Sequence, residues 1–331
     1  MLKKEGGVKP LKGKKEPVNR KLLMWLFILT GVISLFLWWR GKAIHESGPV
    51  TNTSGDMRFV IEPTRSSPGL SPSLGLRNTK KIIGEIEKLT ATASGTYAVY
   101  VYHLEDKDSY GVNETLEMPG ASIMKLPVIM TVMKMIESGN LKLDDKYTLE
   151  EADRAAGSGP LQYKKAGESY NLDELLGYLG KNSDNTAWVM FNRRLGKNAI
   201  QDTIDSEGLV NTDYKNLTTT GVDTARMWKF FYSGKIGEEN RRKIWGYLTN
   251  SIYEDRIPAG LADTEATIVG HKVGTDIDIW ADTGIVSCKL SVARCKAKPF
   301  VMVIMNREVK RSEAVEIVPG MAKLIWEFEN S

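Results

Sequence analysis

Ser122 and Lys125 are the first residues whose types and spacing indicate chemistry. They are three positions apart near the start of a predicted apolar helix that runs to about Ile136, so they would share one helix face. A serine hydroxyl attacks carbonyl carbons poorly, but a lysine that burial keeps neutral can remove its proton. Backbone N–H groups at the helix start would stabilise an oxyanion. The pair therefore predicts acyl transfer, although a chain of ordinary composition contains about one Ser-x-x-Lys by chance.

Two further motifs supply the groups that such a site needs. Residues 183–185 read Ser-Asp-Asn between two predicted helices, and residues 272–275 read Lys-Val-Gly-Thr at the end of a predicted strand. Each motif is weak alone, since Ser-Asp-Asn is also an ordinary helix N-cap. Their order and spacing are the informative feature: about 60 residues separate Ser122 from the second motif, and about 90 more lead to the third. This arrangement is typical of penicillin-recognising serine enzymes.

On these motifs, residues 76–331 resemble the class A β-lactamase family of penicillin-recognising serine hydrolases. Other stretches support the resemblance: Gly-Ser-Gly-Pro-Leu-Gln at 157–162, the extension of the second motif to Ala187, three threonines at 218–220, and Asp-Thr-Gly-Ile-Val at 282–286. The resemblance implies an enzyme that forms a covalent acyl-enzyme with β-lactams or with related amides.

The resemblance also implies a role for each motif residue. Ser122 would be the acylated nucleophile, Lys125 would activate it, and Ser183 would pass a proton to the leaving nitrogen. Asp184 would anchor its loop. The substrate would be bound by Asn185, Lys272, Gly274 and Thr275, and the oxyanion by the backbone N–H groups of Ser122 and Thr275. This chemistry implies no cofactor and no metal.

The third motif departs from the family pattern at one position. Val273 follows Lys272 where the family has Thr or Ser, whose hydroxyl helps to bind the substrate carboxylate. That hydroxyl is absent from the sequence. We expect Thr275 to replace it in part.

The second departure is in the Ω-loop, which holds the deacylating glutamate in class A enzymes. About 35 residues separate the second motif from Thr218, fewer than in the family pattern, and no Glu-x-x-Leu-Asn occurs there. Asp213 is the only carboxylate near that place, and Glu207 is interpreted as a surface residue at a helix end. Without that base, the acyl-enzyme is expected to form and to hydrolyse slowly, as in a penicillin-binding protein.

The first 75 residues predict a membrane attachment. Residues 1–21 contain eight Lys or Arg and two Glu, and residues 22–39 contain no charge. A helix of that length spans about 27 Å, close to the hydrocarbon core, so residues 22–39 are predicted to be an uncleaved transmembrane anchor rather than a signal peptide. The basic leader places the N-terminus in the cytoplasm and the later domain outside it. Residues 40–75, rich in Gly, Pro, Ser and Thr, are predicted to be a flexible linker.

Composition and the remaining reactive residues disfavour several other classes. The basic leader carries a net charge of +6 and the whole chain +4, so the rest of the chain is about −2 and gives no reason to expect nucleic acid. The three histidines are far apart in sequence, which disfavours a zinc hydrolase, and no Gly-x-Ser-x-Gly indicates a Ser-His-Asp hydrolase. His103 and His271 are interpreted as structural or polar neighbours. Cys288 and Cys295 flank a predicted hairpin turn, where a disulfide is expected, with two free thiols as the alternative.

The predicted elements would have to bring these groups together. Apolar spacing predicts a helix over 76–89, strands over 96–103 and 108–113, and a mainly helical stretch over 122–250. Strands over 266–273, 277–286 and 300–306 and a helix over 312–328 follow. Because the late strands complete a sheet that the early ones begin, the order predicts an α/β (α+β) domain. It would be an antiparallel sheet flanked by terminal helices, with a helical subdomain packed against one edge.

The sequence therefore predicts a membrane-anchored, extracytoplasmic serine hydrolase that is acylated at Ser122 by β-lactam or D-Ala-D-Ala-like amides. Two alternatives stay open. One is a D,D-peptidase or penicillin-binding protein with little β-lactam turnover, and the other is a non-catalytic cell-envelope binding domain on the same fold. The expected partners are a β-lactam or peptidoglycan-like small molecule and, through residues 22–39, the membrane.

Overall fold

The computed structural model describes residues 79–261, 266–289 and 295–331. The predicted leader, membrane anchor and linker lie outside these ranges and stay predictions. Within the three ranges no helix is both long enough and apolar enough to cross a membrane.

The described elements follow the predicted order of helix, strands, helices, strands and helix. The helices are α1 (Thr79–Thr90), α2 (Lys125–Glu137), α3 (Leu172–Lys181), α4 (Asn185–Leu195), α5 (Lys197–Ser206), α6 (Gly221–Tyr232), α7 (Glu238–Leu248), α8 (Ile257–Gly260) and α9 (Arg311–Glu329). The strands are β1 (Thr96–His103), β2 (Ser109–Val112), β3 (Met118–Pro119), β4 (Lys146–Thr148), β5 (Ser169–Asn171), β6 (Thr218–Thr219), β7 (Thr267–Asp276), β8 (Ile279–Cys288) and β9 (Phe300–Arg307).

Five strands form one antiparallel sheet in the order β2-β1-β9-β8-β7. The central strand β9 is buried at every position except Arg307, because both faces of the sheet are covered. β7 is an edge strand, and its register with β8 places Lys272 opposite Thr283 and His271 opposite Gly284. The third motif therefore lies at the edge of the sheet.

The two faces of the sheet contact different helices. α1 and α9 pack on the face that contains Val99 and Met302. α6 packs against β1 and β9 on the face that contains Ala98 and Val303. The prediction that the helical subdomain packs against one edge is therefore wrong. It covers a face, because β1 and β9 present apolar side chains in both directions.

The segment that contains Ser122 also differs from its prediction. Ala121–Met124 is a 3₁₀ turn, and the α-helix α2 begins only at Lys125. Pro127 has no N–H to donate to the carbonyl of Ile123, and its ring crowds that carbonyl, which disfavours a regular α-helix through this turn. The tighter turn closes with a bond from the Lys125 N–H to the Ser122 carbonyl.

The two cysteines are bonded to each other. Cys288, the last residue of β8, forms a disulfide with Cys295, and their Cα atoms are 5.6 Å apart. That separation lies in the usual range for a disulfide. Of the two readings that the sequence left open, the structure has the bonded one.

Candidate active site

Ser122 and Lys125 lie within hydrogen-bonding distance of each other, as their spacing predicts. Lys125 Nζ is 3.1 Å from Ser122 Oγ, and the Lys125 side chain is fully buried. Burial, followed by repulsion from the Lys272 cation, lowers the pKa of Lys125 well below its usual value, while Asp184 opposes this shift. This shift favours the neutral amine beside the Ser122 hydroxyl, and a neutral amine is what general-base activation of a serine requires.

Ser183 brings the second motif to the same amine. Its backbone oxygen is 2.5 Å from Lys125 Nζ, and its Oγ is 3.2 Å from that atom. Ser183 lies between α3 and α4 with φ of 51°, in the left-handed region that non-glycine residues rarely adopt. From the other side, Lys272 Nζ donates to Ser183 Oγ at 2.7 Å. The Ser183 hydroxyl therefore lies between two lysine nitrogens and can exchange a proton with either.

Asn185 is a further hydrogen-bond partner of Lys125. Its Oδ1 accepts a hydrogen bond from Lys125 Nζ at 2.8 Å, and its Nδ2 donates to the Ala156 carbonyl at 2.8 Å. A Cβ atom at Gly157 would lie 2.8 Å from Asn185 Nδ2, so only glycine allows this close approach of the loop. The loop before α3 therefore fixes the orientation of the Asn185 amide.

Asp184 uses both carboxylate oxygens to organise its surroundings. Its Oδ1 accepts the Ala187 N–H at 2.8 Å, which makes it the N-cap of α4, and its Oδ2 accepts the Leu161 N–H at 2.8 Å. Burial raises the pKa of Asp184, and these backbone donors act against that rise. A Cβ atom at Gly159 would lie 2.1 Å from Asp184 Oδ2, so glycine is needed there as well. The side chain thus joins the loop of residues 157–162 to α4.

Lys272 is the second buried amine, with 1% of its surface exposed. Burial lowers its pKa to about 7; Asp282 raises it and Arg256 adds to the lowering. Within the described part of the chain, no aspartate or glutamate forms a hydrogen bond or ion pair with Lys272 or Lys125. The charge on Lys272 is therefore available to a substrate anion and is present mainly at neutral pH and below.

Gly274 and Thr275 belong to the part of β7 that packs against the 3₁₀ turn containing Ser122. A Cβ atom at Gly274 would lie 2.9 Å from the Gly120 carbonyl oxygen, so glycine lets the strand pack directly on the turn. Because β7 is an edge strand, the backbone groups on its outer side have no neighbouring strand in the sheet. The role of the Thr275 N–H beside that of Ser122 stays a prediction.

Arg256 is a site residue that the sequence did not reveal. Its guanidinium is 1% exposed, donates to Thr275 Oγ1 at 2.7 Å and to the Ala281 carbonyl at 2.8 Å, and lies 3.7 Å from the centre of the Trp280 ring. Burial lowers its pKa. From sequence alone, an isolated arginine in a charged segment is usually predicted to lie on the surface. Here the long-range fold buries it against β7 and β8. Arg256 adds a cation to the side of the site where Val273 lacks a hydroxyl.

The shortened Ω-loop contains no carboxylate directed at the serine. Asp213 Oδ1 accepts the N–H groups of Lys215 and Asn216 at 2.7 Å and 2.9 Å. Its Oδ2 accepts a bond from Asn216 Nδ2 at 2.7 Å, and the backbone bond from Asn216 leads the causes that lower its pKa. Asp213 therefore closes its own turn.

Glu207 is equally committed elsewhere. Its two carboxylate oxygens lie 2.7 Å from Lys134 Nζ and 2.6 Å from Lys235 Nζ. Burial alone would raise its pKa, but the hydrogen bonds from these two lysines lower it. Glu207 thus ties the end of α5 to α2 and to the segment after α6. Among the described residues, neither it nor any other carboxylate hydrogen-bonds to Ser122.

An aromatic group that no sequence motif predicts lies beside Lys125. The Trp188 ring centre is 5.2 Å from Lys125 Nζ. Trp188 Nε1 donates to Tyr214 Oη at 2.6 Å, and Tyr214 Oη donates to Asn192 Oδ1 at 2.7 Å. Tyr214 is fully buried and belongs to the shortened Ω-loop, so an aromatic contact lies between this loop and the Lys125 amine.

Comparison with known proteins agrees with this geometry. The Beta-lactamase enzyme family matches residues 81–328, and the chain belongs to this family. The extended-spectrum β-lactamase PER-1 of Pseudomonas aeruginosa is 21% identical over 266 residues, which cover 74% of this chain and 86% of PER-1.

Solved structures with the same fold include a penicillin-binding protein. PBP-A superposes with a TM-score of 0.68 at 23% identity, covering 78% of this chain and 98% of PBP-A. A mutant of PBP-A, solved as an acyl-enzyme complex with penicillin G, superposes with a TM-score of 0.67 at 23% identity over 75% of this chain and 96% of PBP-A. The chain therefore has the β-lactamase and penicillin-binding protein fold of class A β-lactamases and their relatives.

Proposed function

We propose that this protein is a serine hydrolase of the penicillin-binding type, which β-lactams and D-Ala-D-Ala-like amides acylate rapidly at Ser122 and which releases the acyl group slowly. The observation that carries the proposal is the contrast around the serine. Two buried lysines and Ser183 lie within hydrogen-bonding distance of each other or of Ser122 Oγ. No carboxylate of the described residues reaches Ser122 in the same way.

Acylation would begin with proton transfer from Ser122 Oγ to the neutral Lys125 amine. The oxygen then attacks the amide carbonyl carbon, and the N–H groups of Ser122 and Thr275 stabilise the negative charge that develops on the carbonyl oxygen. The carbon–nitrogen bond breaks as the leaving nitrogen accepts a proton from Ser183 Oγ. Ser183 Oγ then regains a proton from the Lys125 ammonium, which returns to the neutral amine, while Lys272 Nζ donates a hydrogen bond to the same oxygen. The product is an ester on Ser122.

Binding of the substrate precedes this step and depends on charge. A penicillin has a carboxylate next to its scissile amide, and so does a peptide that ends in D-Ala. The Lys272 ammonium and the buried Arg256 guanidinium give this end of the site a positive potential. Asn185 presents its amide to the acyl side of the substrate, because its orientation is fixed by Ala156.

Hydrolysis of the ester needs a base that activates water. In this site the carboxylates nearest in sequence to the family's deacylating glutamate bind their own loop or surface lysines. The Trp188 ring also occupies part of the space beside Lys125. The ester is therefore expected to persist.

The test uses the full-length chain in detergent with a fluorescent penicillin and a chromogenic cephalosporin, and follows the mass of the protein over time. We expect a stoichiometric adduct that outlasts many half-times of its formation, with little colour from the cephalosporin. Ser122→Ala should remove the adduct, whereas Ser138→Ala, an exposed serine at the far end of α2, should retain it. Fast cephalosporin turnover would instead indicate an efficient β-lactamase.

A complete lack of adduct, with Ser122→Ala and the wild type alike, would overturn the enzymatic proposal and favour a binding domain on this fold. A persistent adduct together with release of D-Ala from a peptide that ends in D-Ala-D-Ala would favour the D,D-peptidase form of the proposal.

The proposed location rests on the sequence alone. An anchor over residues 22–39 with a basic leader would place the catalytic domain outside the cytoplasmic membrane, next to the cell envelope. Protease added to intact cells should then remove the domain and leave the leader, and an uncut domain would contradict this orientation.

A further inference from the structure

A buried pair of charged residues lies behind the third motif, on the sheet face opposite Lys272. His271 Nδ1 is 3.0 Å from both carboxylate oxygens of Asp282, and each residue is at most 1% exposed. The β7–β8 register sets Gly284 opposite His271 and Val273 opposite Asp282, so His271 and Asp282 are diagonal neighbours on one face. Because successive side chains alternate, Lys272 points to the other face, toward Ser183.

The carboxylate of Asp282 is held by more than His271. It accepts the Ile257 N–H at 3.1 Å and the Thr283 N–H at 2.9 Å. The position is therefore tied to both β8 and α8. Asp282 also directly precedes Thr283, the cross-strand partner of Lys272, so a single layer of backbone separates the carboxylate from the base of the Lys272 side chain. The described residues give Lys272 no carboxylate partner on its own face.

We propose that Asp282 is a positioning residue for Lys272: its carboxylate stabilises the Lys272 ammonium across the sheet, and His271 limits this effect by neutralising part of the carboxylate charge. The proposed consequence is that the His271–Asp282 pair sets the pH range over which Lys272 can bind a substrate anion. That consequence rests on the proposed function, but the charge state of Lys272 can be measured without it.

The other charged groups around the pair come from two elements, the segment before α8 and α9. On the opposite face, Lys125 of α2 faces Lys272 across the Ser183 hydroxyl, and it is unchanged in every variant below. Arg256 approaches from the segment before α8, and Arg311 from α9 stacks on the same Trp280 ring. Glu254 is half-exposed and lies 3.7 Å from His271 Nε2. Both arginines and Glu254 remain in every variant below, so their contributions do not change.

The direction of each effect follows from the charges. Burial by itself would lower the pKa of His271, but Asp282 and then Glu254 outweigh it and raise the value to about 9, so the imidazole is cationic at neutral pH. Asp282 is also the group that raises the pKa of Lys272 against its burial. Removing Asp282 should therefore lower the Lys272 titration midpoint. Removing the His271 cation should raise it, since an unscreened carboxylate and one fewer positive charge both favour the ammonium.

The test is NMR titration of the full-length protein with lysine labelled at Cε and Nζ, in which the Lys272 signal is assigned by its absence from Lys272→Met. Asp282→Asn should move the Lys272 midpoint to lower pH, and His271→Gln should move it to higher pH, each by on the order of one pH unit. Asp278→Asn, which removes an exposed carboxylate in the turn of the same hairpin, should leave the midpoint unchanged.

A merely structural pair would not produce opposite shifts. If either variant only loosened the pairing of β7 and β8, Lys272 would become more exposed in both, and its midpoint would move in the same direction. Shifts of the same sign, or midpoints equal to that of Asp278→Asn, would overturn the proposal. If Asp282→Asn does not fold, the His271→Gln midpoint decides alone. Failure of the proposed function would look different: no adduct with penicillin, whatever the Lys272 midpoint.

Discussion

The two regions that would act in succession on one substrate are built differently. Around Ser122 Oγ, polar groups from three distant parts of the chain converge: Lys125, Ser183 and Lys272 lie 2.7–3.2 Å from their neighbours and are buried. In the shortened Ω-loop, the polar groups hydrogen-bond within the loop or to neighbouring side chains. Asp213 bonds to its own turn, and Tyr214 presents an aromatic ring to Trp188.

The two regions correspond to the different requirements of acylation and deacylation. Acylation needs a base for the nucleophile, a proton donor for the leaving group and a cation for the substrate, and all three are present. Deacylation needs in addition a carboxylate that can hold and activate a water molecule, and the loop that would provide it has satisfied its carboxylates locally. The predictions below test the first region and then the second.

The largest effect should come from the base. Lys125→Met keeps the apolar stem of the side chain but removes the amine that lies beside Ser122 Oγ. We expect the rate of adduct formation with a fluorescent penicillin to fall by about 10³-fold or more, as expected when a general base is lost. Lys134→Met, on the same helix and paired with Glu207, is the matched control and should acylate normally. A Lys125→Met rate within tenfold of wild type would remove Lys125 from the mechanism.

The pH dependence of acylation should report Lys272. The pKa of this group is about 7, and it is charged below that value. For a β-lactam that carries a carboxylate, the second-order acylation rate should therefore fall about tenfold per pH unit well above pH 7, because the cation that attracts the substrate is lost. Stopped-flow fluorescence between pH 5 and pH 9 measures this limb. A rate that stays flat from pH 7 to pH 9 would contradict the assignment.

A smaller gain should follow from restoring the missing hydroxyl. Val273 follows Lys272 in the strand and is 3% exposed. Val273→Thr replaces one methyl group with a hydroxyl group of similar volume. One hydrogen bond to the substrate carboxylate corresponds to roughly a tenfold increase in the second-order acylation rate. The same variant should show no gain with a substrate analogue esterified at that carboxylate. An equal gain with both compounds would mean that the hydroxyl acts elsewhere.

The smallest effect is predicted in the Ω-loop. Asp213→Asn keeps one oxygen acceptor for the turn and removes the charge, so the adduct lifetime should change by less than about twofold. Decay of the penicillin adduct, followed by mass, is the measurement. If the lifetime lengthens strongly, Asp213 is a deacylating base after all, and the contrast between the two regions is lost.

Much of the fold follows from the sequence because its signals are local. β1 covers Thr96–His103, as its alternation and β-branched content predict, and β9 and α9 differ from their predictions by a residue at an end. The position of the helical subdomain was predicted wrongly, since a strand that is apolar in both directions does not reveal which element covers which face. The start of α2 shifted to Lys125 because of Pro127, a local effect that the apolar periodicity alone does not reveal.

The site likewise contains residues that sequence motifs predicted and residues that only long-range contacts reveal. Spacing and motif order predicted Ser122, Lys125, Ser183, Asn185 and Lys272, and the structure brings these side chains together. Arg256 and Trp188 have no motif, and their roles depend on long-range contacts with Thr275 and Lys125. Asp282 was predicted only as part of a supporting stretch, because its interaction with His271 is created by the β7–β8 register.

The central claim is that acylation and deacylation differ greatly in rate at one serine. The most direct measurement takes a single penicillin, determines the acylation rate constant by stopped flow, and follows decay of the Ser122 ester in the same protein by mass spectrometry of the peptide that contains it. The account predicts that the ester accumulates on all molecules and decays orders of magnitude more slowly than it forms. An ester that decays as fast as it forms, or that is attached to a residue other than Ser122, would contradict it.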